Sequence, residues 1–126
     1  MKEFMLLIRN TGGHLSTLQP EKHEEFLKAC EKYIGKLKEN NQLLAAQPLV
    51  KQGIVVSNSG GEWTEAPIDA TAEVQVGYYH ILANDIDEAI AIAKENPEFE
   101  YTTTARIEVR PIKMKETTTG YVYPKN

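Results

Sequence analysis

Cysteine is nearly absent from this sequence: Cys30 is the only one in 126 residues. No intramolecular disulfide can form, and a reducing compartment fits. An excess of positive charge is absent too. Eighteen acidic residues face fourteen basic ones, for a formal net charge of −4. That balance disfavours a surface built to neutralise phosphates, so no nucleic-acid partner is expected. The apolar runs are a few residues long, far short of the ~20 that a membrane helix needs, so no membrane partner is expected either. The N-terminus lacks a longer apolar stretch with a small-residue cleavage site, and a leaderless cytoplasmic protein is the expectation. Three histidines and one cysteine without close ligand spacing argue against a metal, and no cofactor is expected. Gly12-Gly13-His14 lacks the Lys-Ser/Thr of a P-loop and the third glycine of a dinucleotide site, and it reads as a plain loop. No Ser-His-Asp order with a nucleophile elbow is present.

What is there is ordinary globular composition, 41% hydrophobic and 25% charged. It suits one domain over 1–126 with a core that needs no staples. Phe4-Met5-Leu6-Leu7-Ile8 is apolar on both faces and reads as a central strand buried on two sides, broken by Asn10-Thr11-Gly12-Gly13. From Pro20 to Asn40 the period changes. Phe26, Leu27, Cys30, Ile34 and Leu37 recur at three- and four-residue steps and predict one buried helical stripe. Pro20 suits the first turn, the glutamates come early and the lysines late, and Asn40-Asn41 supplies a left-handed stop.

Leu43 to Ala46, closed by Pro48, is the next strand. Ile54-Val55-Val56 and Glu62-Trp63-Thr64 flank Asn58-Ser59-Gly60-Gly61 as a hairpin. Val74 to Ala83 is the longest strand. Asp85, with Glu88 three residues on, caps a second helix whose stripe is Ile86, Ala89, Ile90 and Ala93, ended by Pro97. Arg106 to Lys113 is the last strand, and 113–126 reads as a C-terminal tail. The order β-α-β, hairpin, β-α-β predicts an α+β ferredoxin-like sandwich: an antiparallel sheet with two helices on one face. The other sheet face is also apolar in part. A homodimer pairing sheet on sheet, with a cavity between, is the economical cover.

The residues just quoted also carry a family resemblance. Phe4 to Ile8, then Gly77-Tyr78-Tyr79-His80-Ile81 leading to Asp85-Ile86-Asp87-Glu88-Ala89, then Ile107-Glu108-Val109-Arg110-Pro111-Ile112, resemble the YCII-related domain family, in particular its DGPF-type branch. The likeness spans roughly 4–112 and leaves the tail outside. Where the branch's Asp-Gly-Pro-Phe would fall, this chain has Glu65-Ala66-Pro67-Ile68. The resemblance implies a dimeric α/β barrel. It also implies a His and an Asp together in a cleft, the His early in the first helix and the Asp before a Pro after the second. His23 approximates the first position, with Cys30 competing; the second falls on Asn96-Pro97, an amide in place of a carboxylate. Branch members are associated with extracytoplasmic-function sigma factors, which implies a regulatory role.

The candidate site residues follow. His23, on the apolar stripe, reads as a general base or as a helix-end histidine at the core's edge. His80 and Tyr78 share one face of the long strand, either as polar groups in an apolar pocket or as interface packing. Arg106, Glu108 and Arg110 share a strand face, and Arg9 is placed to join them. They read as a carboxylate-binding set or as a cross-strand ion-pair ladder. Cys30 reads as buried packing, and Glu65 and Asp69 as solvated loop carboxylates. Two functions remain open. One is a small-molecule binder, for an anionic or aromatic ligand in a cavity at the homodimer interface, with or without a His acid/base step. The other is a non-catalytic regulatory or interaction module. The tail, with Tyr121 and Tyr123, is expected either to cross to a partner subunit or to be disordered.

Overall fold

The structure is a computed structural model that describes residues 1–11 and 13–125. Gly12 of the predicted glycine loop and Asn126 of the tail lie outside the described residues. Alternation in the first segment produces β1 (Lys2–Thr11), with Phe4, Leu6, Ile8 and Asn10 buried and the odd positions half-buried. The expectation of burial on both faces is thus corrected to one face within a single chain.

Helix α1 (Pro20–Glu39) carries Pro20 in its first turn, Glu21 early and Lys36 and Lys38 late. The chain leaves it through Asn41 at φ 56°, the left-handed position asparagine tolerates. Strand β2 (Leu43–Pro48) follows, then β3 (Ile54–Ser59) and β4 (Glu62–Pro67). Gly60 and Gly61 both have positive φ in the two-residue turn between β3 and β4, as a tight hairpin of the right twist requires. Then come β5 (Glu73–Ala83), α2 (Ile86–Lys94), a short α3 (Glu98–Tyr101) and β6 (Arg106–Pro111). The Asp85 carboxylate accepts the Glu88 N–H at 2.8 Å, and Glu88 reaches back to the Asn84 N–H at 3.1 Å, so α2 is capped from both directions.

The sheet order is β2-β5-β1-β6, every neighbour antiparallel. With the helices over one face, this is the expected ferredoxin-like α+β sandwich. Beneath the helices lie Phe4, Leu6, Ile8, Val76, Tyr79 and Ile81. Tyr33 ties the layers: its ring meets Tyr79 edge-on at 5.4 Å and its hydroxyl donates to the Ile92 carbonyl at 2.7 Å.

Two predicted stripes are rotated. On α1 the buried residues are Phe26, Tyr33 and Leu37, while Leu27 is 48% exposed. On α2 they are Ala89, Ile92 and Ala93, with Ile86 and Ile90 exposed. Leu27 and Cys30 turn toward a cavity, and Ile34 lines it while also packing against the core. The tail also differs from expectation. It folds back on its own chain, with Lys115 bridging Val122 and the Tyr123 N–H donating to the Met114 carbonyl at 2.9 Å. Tyr121 and Tyr123 meet edge-on and remain exposed, and Lys125 pairs with Glu3.

Candidate functional site

A cavity of about 510 Å³ opens between α1 and the β2–β5 side of the sheet, within the range that takes a small ligand. Its walls are mainly apolar: Ile8, Phe26, Ile34, Val76 and Tyr79 contribute. Gly77 matters here because a Cβ would press on the Gln47 carbonyl oxygen at 3.2 Å and on Pro48 at 3.3 Å. Glycine lets the end of β2 lie against β5 and form one wall.

One end of the cavity is polar, and four chain segments build it. A register shift after Ile8, where Arg9 pairs with Gln75, leaves Val76 and Gly77 both buried and Asn10 beyond the bulge with its side chain inside the fold. The loop after β1 brings in His14. Asn96 starts the turn into α3, accepting the Glu98 N–H on its Oδ1 at 2.8 Å, and so sets Glu98 inward. His14 Nε2 then lies 3.1 Å from Glu98 Oε1, both side chains only 9% exposed. His14 Nδ1 lies 2.8 Å from the Thr11 carbonyl oxygen. Both partners offer acceptor oxygens, an arrangement that favours a proton on each ring nitrogen, the imidazolium form. Burial pulls the other way, but the Glu98 hydrogen bond and charge, with the Thr11 carbonyl, raise the His14 pKa above its ordinary 6.5.

The carboxylate is itself held. Asn10 Nδ2 donates to Glu98 Oε2 at 3.3 Å and to Thr102 Oγ1 at 3.0 Å, while Asn10 Oδ1 accepts the Thr104 hydroxyl at 2.6 Å. Asn96, 2% exposed, keeps an amide nitrogen with no hydrogen-bond partner among the described residues. Cys30 also lines the cavity. Burial, and then the negative charges of Glu98 and Glu31, push its thiol up to about 11. It is a protonated lining group there and a poor nucleophile.

The sequence-derived candidates lie elsewhere. Arg9, Tyr78, His80, Glu108 and Arg110 come together, but on the open sheet face opposite the helices: Leu7 aligns with both Tyr78 and Glu108, and Met5 with both His80 and Arg110. Their charges are paired. Arg9 reaches Glu73 at 3.0 Å and Glu108 at 3.7 Å, and Arg110 reaches Glu108 at 3.4 Å. His80 Nε2 is 2.7 Å from Glu3 Oε1. His23 sits half-buried in the first turn of α1, on neither the open face nor the cavity lining. Glu65 and Asp69 are exposed.

His14 and Glu98 were not singled out from sequence. His14 follows a glycine pair and carries no periodicity. Glu98 had one usable signal, Asn-Pro-acid, an N-cap pattern for one further helical turn. The histidine partner is thus a glutamate two residues beyond Asn96, the position at which the resemblance led to an amide.

No curated protein matches the chain. The family-level comparison is positive and spans the entire sheet and all three helices: the model of the YCII-related domain matches residues 2–113, and the chain belongs to that family.

Proposed function

We propose that the chain binds a small molecule, an anionic or carbonyl-bearing compound with an apolar or aromatic body, in the cavity under α1, and that the His14–Glu98 pair exchanges a proton with it. The observation that carries this reading is the pair itself: a histidine and a carboxylate 3.1 Å apart, both nearly buried, in the lining of a mainly apolar cavity. Structural ion pairs do not need a cavity beside them, and perturbed histidines in clefts cluster at functional sites. Both ring N–H groups already meet acceptors, so an incoming acceptor takes over the Nε2–H that Glu98 now holds. Glu98, steadied by Asn10, holds the ring orientation and stabilises its charge while the proton is in place.

The test is a thermal-shift screen of the purified protein against small organic acids, aromatic acids and carbonyl compounds. A ligand at about 100 times its Kd should add about 2.7 kcal/mol of stability. The expected result is a hit that His14→Gln and Glu98→Gln weaken and that His80→Gln leaves unchanged. A hit insensitive to His14 and Glu98, or no hit across the library, overturns the reading and favours an interaction module.

A second reading concerns the open sheet face. We propose that it pairs two copies of the chain. Met5, Leu7, Tyr78 and Leu82 form a half-buried apolar centre there, flanked by arginine–glutamate pairs that leave little unpaired charge to hold a ligand. Sedimentation velocity should find a dimer that Leu7→Asp dissociates while circular dichroism stays unchanged. A monomer at high concentration would rule the pairing out.

A further inference from the structure

We propose that the β3–β4 hairpin is an arm with which one copy of this chain grips the β6 edge of a second copy, and that this grip fixes the mouth of the cavity. The inference rests on the pairing of open sheet faces proposed above.

The two strands of the hairpin pair with each other and with no other strand, and every residue in them is exposed. A two-stranded hairpin alone in water is marginal. This one nevertheless carries an apolar strip. Alternation and register put Ile54, Val56, Trp63 and Pro67 on a single face, and Trp63 is 72% exposed. A strip of that size on an arm marks a contact surface. The same face carries Glu65, which sits opposite Val56.

The complementary surface is on β6. It is an edge strand, and it turns Arg106 and Arg110 to the open face, each side chain 67% exposed despite its glutamate partner. Two copies of a chain of net charge −4 repel on average, so a local meeting of opposite charge is what orients them. The contact calls for one particular two-fold arrangement of the open faces. Sheet faces related by a two-fold axis parallel to the strands set the β2 edge of one over the β6 edge of the other. The hairpin is inserted between β2 and β5, so it leaves the sheet at the β2 edge.

The coupling to the cavity is covalent. Leu49 and Lys51, in the segment that joins β2 to the hairpin, line the cavity. The hairpin is closed at its base by the Ile68 N–H donating to the Gly53 carbonyl at 2.9 Å, two residues beyond Lys51. Holding the arm therefore holds the mouth.

Trp63 is the only tryptophan, so fluorescence excited at the red edge, where the six tyrosines do not absorb, reports on the arm alone. The full chain is diluted through its dissociation range while sedimentation velocity and acrylamide quenching of Trp63 are followed. The expected result is a dimer in which Trp63 is shielded, both properties lost together on dilution. Glu65→Arg and Arg110→Glu should each weaken the dimer by at least about tenfold, and the double variant should recover it. Circular dichroism reports whether each variant keeps its fold, and Glu65→Gln, a milder change, should weaken the dimer in the same direction. A dimer whose Trp63 is as quenchable as in the monomer refutes the arm and leaves the sheet pairing intact. A monomer at every concentration refutes both.

Discussion

The protein contains two histidine–glutamate pairs of similar geometry and different surroundings. His14–Glu98, at 3.1 Å, sits at the end of a cavity, and both ring nitrogens face acceptors. His80–Glu3, at 2.7 Å, sits on the open sheet face, and its glutamate is shared with Lys125 from the tail. The first is one histidine on one carboxylate that Asn10 holds in place. The second is part of a surface network that the chain's own end completes. What separates a candidate site from a structural ion pair here is not the distance between the partners. It is whether an empty volume adjoins them.

The largest expected effect comes from breaking the buried pair. Glu98→Ala removes the acceptor at His14 Nε2 and one of the two acceptors of the Asn10 amide, and urea titration should register a loss of about 3 kcal/mol. Glu98→Gln keeps the shape and should cost less, while lowering the His14 pKa in an NMR titration. Asn10→Ala comes next. It strands the Thr104 hydroxyl and one oxygen of Glu98, and a loss of about 2 kcal/mol by the same titration is expected.

Acidity sharpens the contrast through opposite signs. The His14 pKa is raised on folding, so its contribution to stability is complete below the unfolded value of 6.5 and disappears as pH rises through the higher folded value. Lys125, against burial and with help from His80, holds the Glu3 carboxyl below its ordinary 4.5. That contribution is complete above 4.5 and is lost as pH falls through the lower folded value. Chemical denaturation from about pH 2 to about pH 9 should therefore show two separate declines. His14→Gln should reduce only the alkaline one and Glu3→Gln only the acid one, to which Asp69 and Glu116, also held below their ordinary values by hydrogen bonds, contribute as well. The smallest effect belongs to the exposed ladder. Arg106→Ala should cost no more than about 0.5 kcal/mol in the monomer, and added salt should shrink even that.

Much of the fold was legible in the sequence because it rests on periodicity. The existence of β1 as a strand, the Gly60-Gly61 turn, the Asp85 cap and the β-α-β order all encode local geometry directly. The rotated stripes of α1 and α2 were not legible. Periodicity gives the existence of an apolar face but not which of two adjacent rows closes against the sheet, and a cavity admits apolar residues such as Leu27 that nothing covers. The site was the least legible part. His23 and His80 stand on regular elements, where faces can be counted. His14 and Glu98 stand on a loop and a four-residue helix, brought together across 84 positions by a bulge and an Asn-Pro turn. The family resemblance leads to the segment after α2 and to Asn96, whereas the carboxylate beside His14 is Glu98, two residues on.

The placement of the two chain ends has a mechanical consequence. β1 begins where β6 finishes, Phe4 aligning with Pro111, and the two strands run antiparallel side by side. Their hydrogen bonds lie across the strands. Tension applied between the ends would first strip the tail from Glu3 and then load the β1–β6 ladder one rung at a time, as a zipper opens, instead of shearing all its rungs together. In a force experiment held by its ends the molecule should therefore yield at low load, even where its resistance to urea is high. In the handles-at-both-ends geometry, β6 would peel away first and expose β1 while β2 and β5 remain joined.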